Sequence, residues 1–226
     1  MRRIALTLIM MLCVCSIAVA QDVGVNYSDM YRWHGWRLYE ENIIHTSVNA
    51  EIRGFDIDAV GHYENEDNDL KKMDTSLAYQ IPLRELIVKP SYGYVFLPGM
   101  DAQEVGLTLG LPGNISPRYS IYHVVPDNSQ EGQFHVLGVD VFLGDPNDPN
   151  AISAGLMAEV TYNDGVNPFG QTVIRDWSHF TAAAQLNVPF DDIILQPGIM
   201  FQHTFDELVE NDKNDCWYTI GFQYRF

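Results

Sequence analysis

Apolar and polar residues alternate with a period of two in segment after segment, which limits the chain to strands whose two faces meet different media. Ile44, Thr46, Val48, Ala50 and Ile52 stand against His45, Ser47, Asn49 and Glu51; beyond an Arg53, Gly54 turn, Phe55, Ile57, Ala59 and Tyr63 stand against Asp56, Asp58 and His62. The same spacing sets Thr75, Leu77 and Tyr79 against Asp74, Ser76 and Gln80, and Val88, Tyr92, Tyr94 and Phe96 against Lys89, Ser91 and Gly93. It returns over residues 104–111, 137–143, 152–161, 179–188 and 193–202. It is strictest at the end, where Tyr218, Ile220, Phe222, Tyr224 and Phe226 oppose Thr219, Gly221, Gln223 and Arg225. With an opening strand around 23–31 and a weaker one around 118–125, twelve strands are predicted.

The connections follow a parity. Even-numbered ones are short (53–54, 82–85, 111–117, 144–150 and 189–192), whereas odd-numbered ones are mostly longer and more polar (32–42, 64–72, 126–132, 163–176 and 205–215). The connection 97–103 fits neither class. An even strand count with short turns at one end and long loops at the other is the pattern of an up-and-down transmembrane barrel, with both termini at the turn end. A β-sandwich has no such parity. The predicted fold is therefore all-β: one closed antiparallel barrel domain. No later apolar run approaches the length of a spanning helix, so any embedding in lipid is by strands. Tyr27, Tyr31, Trp33, Trp36, Tyr79, Tyr92, Tyr94, Trp177, Phe201, Trp217 and Tyr218 fall largely near strand ends, where amphipathic rings suit lipid headgroups.

Residues 1–20 read as a secretory signal: Arg2 and Arg3, an apolar run over 4–17, then Ala18, Val19 and Ala20 before Gln21. Cleavage there leaves residues 21–226 as the barrel and Cys216 as the only cysteine, so no intramolecular disulfide is expected. Without Arg2 and Arg3 the chain has 11 Lys plus Arg against 30 Asp plus Glu, a formal charge near −19. Nucleic acid is excluded as a partner, because phosphate binding needs a basic patch.

The closing strand, ending on Tyr224 and Phe226, resembles the C-terminal insertion signal of bacterial outer-membrane barrels. That resemblance implies a Gram-negative outer-membrane location, recognition by the barrel assembly machinery, and surroundings of outer-membrane lipid and lipopolysaccharide. Val23, Val25, Tyr27 and Ser28, followed by Tyr31, Arg32, Trp33, His34 and Gly35, resemble the opening strand and first loop of the TorF-type porin family. Members usually carry Arg directly before the loop Gly, where this chain has His34. The resemblance implies passive solute passage and brings no catalytic residues.

On a barrel, the polar face becomes the lumen lining: Glu51, Asp56, Asp58, Asp74, Glu104, Asp140 and Glu159 against Arg53, Lys89 and Arg225. An acidic surplus of this kind favours small neutral or cationic solutes, since rings of like charge select by sign. The alternative is that these groups pair across strands and fill the interior as a solid polar core, giving a non-conducting structural or surface-interaction barrel with acidic loops. Three acidic loops, with Glu64, Glu66, Asp67 and Asp69, with Asp145, Asn147, Asp148 and Asn150, and with Glu207, Glu210, Asp212 and Asp215, are candidates for divalent cations, although none carries a calcium-loop pattern. Solvated loops are the simpler reading, and no metal or other cofactor is assigned. His45 and Ser47 have the H-x-S spacing of an outer-membrane lipid deacylase, on one strand face as acyl transfer requires. That face is the interior, away from lipid, so no catalytic residue is assigned.

Overall fold

The computed structural model describes residues 20–34, 36–39, 42–64, 70–97, 100–127, 130–145, 148, 150–166, 175–205 and 214–226. Residues 1–19 of the expected signal over 1–20 lie outside the described residues, as do Glu66, Asp67, Asp69, Asn147, Glu207, Glu210 and Asp212 of the acidic loops.

Twelve antiparallel strands form the wall: β1 Ala20–Ser28, β2 Ile43–Ile52, β3 Phe55–Glu64, β4 Leu70–Tyr79, β5 Leu86–Leu97, β6 Met100–Gly110, β7 Ile115–Pro126, β8 Gly132–Leu143, β9 Ser153–Asp164, β10 Arg175–Phe190, β11 Ile193–Thr204 and β12 Asp215–Arg225. A short segment, Ile81–Leu83, prolongs β4 along β5. Each strand pairs with its sequence neighbours, and β1 pairs with β12, Asp22 opposite Arg225 and Val25 opposite Phe222. The ring is thereby closed, leaving no edge, and every wall strand has partners for its backbone polar groups on both sides.

The turn end is built from chemistry that a two-residue hairpin demands. Ile52 pairs with Phe55 across Arg53 and Gly54, both at positive φ (53° and 83°), which matches the twist of the flanking strands. Arg84 (φ 55°) and Asp191 (φ 52°) open equivalent turns between Leu83 and Leu86 and between Phe190 and Ile193. Arg53, expected on the lumen wall, thus belongs to a turn rather than to a strand. At the opposite end, the long first connection carries its own small hairpin, Tyr31–Trp33 against Trp36–Tyr39, where the sequence suggested only loop.

Register fixes the two faces. Val25, Leu77, Val105, Leu107, Leu137, Leu156, Ile199, Ile220 and Phe222 are exposed and point outward. Aromatics gather at both rims of this face: Tyr27 with Tyr218 (6.5 Å between ring centroids) and Tyr162 with Trp177 (5.7 Å) toward the loops, Phe55 with Tyr79 (4.6 Å) and Tyr224 with Phe226 (5.0 Å) toward the turns. An apolar belt between aromatic girdles is the outer surface of a barrel that spans a bilayer.

Candidate functional site: the barrel interior

The interior divides into three levels. Nearest the loops it is solid. Ile43, Val95, Ala102, Val124, Phe134 and Trp217 point inward and are buried, together with the polar Asn163, Thr161 and Gln202. These residues lie where the sequence was read as strand ends meeting loops, and their inward direction follows from the same two-residue period that sends Tyr162 and Trp177 out.

His34, from the tip of the first-loop hairpin, reaches this layer. Its ring stacks on Phe134, centroids 4.3 Å apart and planes 18° from parallel, with Tyr122 alongside at 5.8 Å. Its Nε2 lies 3.0 Å from Glu104 Oε1 on β6. The backbone at His34 is left-handed (φ 45°), a conformation uncommon for a residue with a side chain. Among the described residues, His34 is thus the point at which the first connection meets the strand wall.

Beside it runs a chain of linked titratable side chains. His45 Nδ1 is 2.7 Å from His62 Nδ1, His62 Nε2 is 2.8 Å from Asp74 Oδ2, and the same oxygen is 2.7 Å from Lys72 Nζ. Lys72 is only 1% exposed. An ammonium this deep is tolerated because a carboxylate faces it directly. His45 thus engages another imidazole, in the interior and away from lipid, an arrangement that does not support deacylation by His45 and Ser47.

At mid-depth a cavity of about 560 Å³ opens, bounded by His34 above and by Asp58, Lys89, Glu104, Arg118 and Glu159 on its wall. Arg118 is held between two carboxylates, Nε to Asp140 at 2.8 Å and Nη2 to Glu159 at 2.7 Å. Lys89 pairs with Asp56 at 2.7 Å. Asp58 differs: its carboxylate accepts hydrogen bonds from Asn49 Nδ2 and from Ser76 Oγ (3.1 Å), both neutral donors, so its charge is solvated rather than cancelled.

Toward the turns the wall of β9–β12 is rich in amides. Gln196 Nε2 donates to Asn187 Oδ1 (3.0 Å) and Gln223 Oε1 (3.0 Å), and Asn187 Nδ2 donates to Ser153 Oγ (3.2 Å). Asp22 and Arg225 face each other at the mouth.

Of the residues expected to line a lumen, Asp56, Asp58, Lys89, Glu104, Asp140 and Glu159 surround or support this cavity; Asp74 lies in the linked chain above it, Glu51 is opposite Asp56, and Arg225 is at the turn-end mouth. Three important groups are missing from that set. Arg118 belongs to the strand read as weak, whose alternation of Ser116, Arg118, Ser120 and Tyr122 against Pro117, Tyr119, Ile121 and His123 is blurred by polar residues on both faces. Lys72 was read as loop, and His34 has no periodicity to announce it. Among the described residues no group of three or more His, Cys, Asp or Glu is arranged to hold a metal ion. Cys216 is exposed on the outward face of β12.

No family model matches the chain, and no curated protein sequence matches it. Solved structures do. The chain is similar to a KdgM porin (11% identity over 91% of this chain and 99% of that one, TM-score 0.60) and to a NanC porin (13% identity, 92% and 100%, TM-score 0.58). It is also similar to an outer-membrane channel from Pseudomonas putida F1 (10% identity, 92% and 96%, TM-score 0.56). At such identities the likeness is one of fold: a closed twelve-stranded antiparallel barrel of the outer-membrane porin kind. These neighbours are porins and channels rather than enzymes.

Proposed function

We propose that the chain is an outer-membrane, porin-like channel that passes small neutral or cationic solutes without a cofactor. The fold supports the coarse reading, and one observation carries the finer one: in the central cavity the basic groups Lys89 and Arg118 are each tied to carboxylates, while Asp58 is bound only by neutral donors. Fixed charge that is not cancelled locally sets the sign of the potential along a pore. Here that sign is negative. One KdgM structure is described as a complex with disordered oligogalacturonate, an anionic sugar. The interior of the present chain repels such a polyanion, so a shared barrel does not imply a shared solute. The test is the reversal potential of the purified protein in planar bilayers under a KCl gradient. Cation preference is expected, and anion preference overturns the reading.

Residues 1–20 act in this reading as an export signal, and Tyr224 and Phe226 as the segment recognised by the barrel assembly machinery, with lipopolysaccharide around the loops. The similarity of the opening strand and first loop to TorF-type porins belongs to the same reading.

A second reading, the non-conducting barrel, starts from the inward position of His34, whose ring stacks on the fully buried Phe134. Folded protein that gives no current under any voltage or salt supports this reading over the first.

A further inference from the structure

The two-residue period sends polar side chains into a barrel lumen, and one part of this lumen departs from it. On β8–β11 the inward positions Asp140, Met157, Ala183 and Met200 are direct cross-strand partners, so three apolar side chains continue a row that a carboxylate begins. Phe142, two residues on from Asp140, lies on the same face one step nearer the turns. Phe142, Met157 and Met200 are only partly buried. They wall a cavity of about 490 Å³ on the turn side of Arg118 and Glu159. Gly155 opens it: this residue stands between Phe142 and Gln185, and a Cβ placed on it meets nothing within 4 Å.

Size and lining are those of a site for a small organic molecule, for which about 300–1,000 Å³ and a mostly apolar wall with few polar groups are usual. The group that sets the sign is Asp140, the one charged residue among the described residues of this wall. Its Oδ2 takes Arg118 Nε at 2.8 Å, yet its side chain is 46% exposed, and the same guanidinium also serves Glu159 through Nη2 at 2.7 Å. Two carboxylates share one cation, so negative charge is left over at the edge of an apolar cavity. An inorganic cation gains nothing from thioethers and a phenyl ring, and an anion meets Asp140 with the wrong sign. An ammonium that carries an aromatic ring suits both halves: its charge lies toward Asp140, and its ring against Phe142 and the polarisable sulfurs of Met157 and Met200.

We propose that this cavity is a subsite for small aromatic ammonium ions within the lumen. The proposal rests on the channel reading and narrows its solute class: of the cations that an acidic interior admits, those bearing an aromatic ring dwell here.

The mature barrel, refolded in detergent, is titrated with phenethylammonium by calorimetry, with the heat of mixing into protein-free micelles subtracted. Ethylammonium and phenylacetate are the controls for ring and charge. The aromatic cation is expected to bind at least tenfold more tightly than either control and to interrupt the current of channels in planar bilayers. Gly155→Leu, which fills the cavity where a new side chain meets no neighbour, is expected to weaken binding at least tenfold. Asp140→Asn keeps the shape and removes the charge, so phenethylammonium and phenylacetate are expected to come within about threefold of each other, and one variant serves if the other does not fold. Conducting channels that show neither binding nor interruption overturn the subsite and leave the channel reading intact. Equal affinity of the wild type for phenethylammonium and phenylacetate, or unchanged affinity in folded Gly155→Leu, overturns it as well. A silent barrel that binds the amine and loses it in Gly155→Leu supports the subsite and removes the channel reading instead.

Discussion

His34 lies flat against Phe134, ring over ring at 4.3 Å, and its Nε2 meets the Glu104 carboxylate at 3.0 Å, so one side chain from the first loop joins two strands of the wall. The stack and the charge-assisted hydrogen bond together favour the inward loop by about 2 kcal/mol or more, against the strain of a left-handed backbone. Removing both contacts with His34→Ala is expected to raise the occupancy of a loop-out state, and with it the mean single-channel conductance, at least several-fold. Conductance indistinguishable from wild type means that the loop does not restrict the path.

The central cavity makes an opposed pair of predictions. Asp58→Asn keeps a polar side chain beside Asn49 and Ser76 but deletes the uncancelled charge, so the cation-to-anion permeability ratio is expected to fall by about two-fold. Arg118→Gln acts in the other direction: it leaves Asp140 and Glu159 without their cation and raises the ratio by a similar factor. Reversal potentials measured on both variants under one salt gradient decide this. Shifts of the same sign in both variants contradict the charge assignment.

Most of the wall was legible in the sequence because a membrane barrel follows the period-two code closely: one face must dissolve in lipid and the other must not. Tyr218, Ile220 and Phe222 point outward as their spacing requires, and Asp56, Asp58 and Lys89 point inward. The code fails where direction is set by something other than the pleat. Arg53 has the right composition for the lumen, but a two-residue turn takes it out of the wall. His34 sits in a connection, and only the partners it meets across about seventy residues of chain, Glu104 among them, bring it inside. The pairing of Arg118 with Asp140 and Glu159 was hidden for a related reason. It joins three neighbouring strands, and strand neighbours share no local sequence signal beyond their own alternation.

Phe226 separates stability from assembly. It is 75% exposed, and its ring meets Tyr224 at 5.0 Å on the outward face, so it contributes little to the interior. Phe226→Ala is expected to change the unfolding free energy of refolded protein by less than about 1 kcal/mol. In cells, if the terminal aromatic is read by the assembly machinery, the amount of heat-modifiable barrel in the outer membrane is expected to fall several-fold. Normal assembly of the variant removes Tyr224 and Phe226 from that role.

The pair of Lys72 and Asp74 tests how the interior carries buried charge. Lys72 is 1% exposed and its Nζ lies 2.7 Å from Asp74 Oδ2, which also meets His62 at 2.8 Å. Lys72 is almost fully buried, so removing the carboxylate that faces it with Asp74→Ala is expected to destabilise the barrel by about 3 kcal/mol, measured by urea unfolding in lipid vesicles. The surface-like pair of Lys89 and Asp56, with Lys89 38% exposed, serves as the contrast. Lys89→Met is expected to cost about 1 kcal/mol or less, because water screens its loss. If the cost at Asp74 comes from an orphaned ammonium, then adding Lys72→Met to Asp74→Ala recovers most of it, whereas a cost that arises from lost packing around His62 persists in the double variant. Recovery in the double variant assigns this chain of linked groups an electrostatic role, and its absence assigns Asp74 to the packing of the β3–β4 wall.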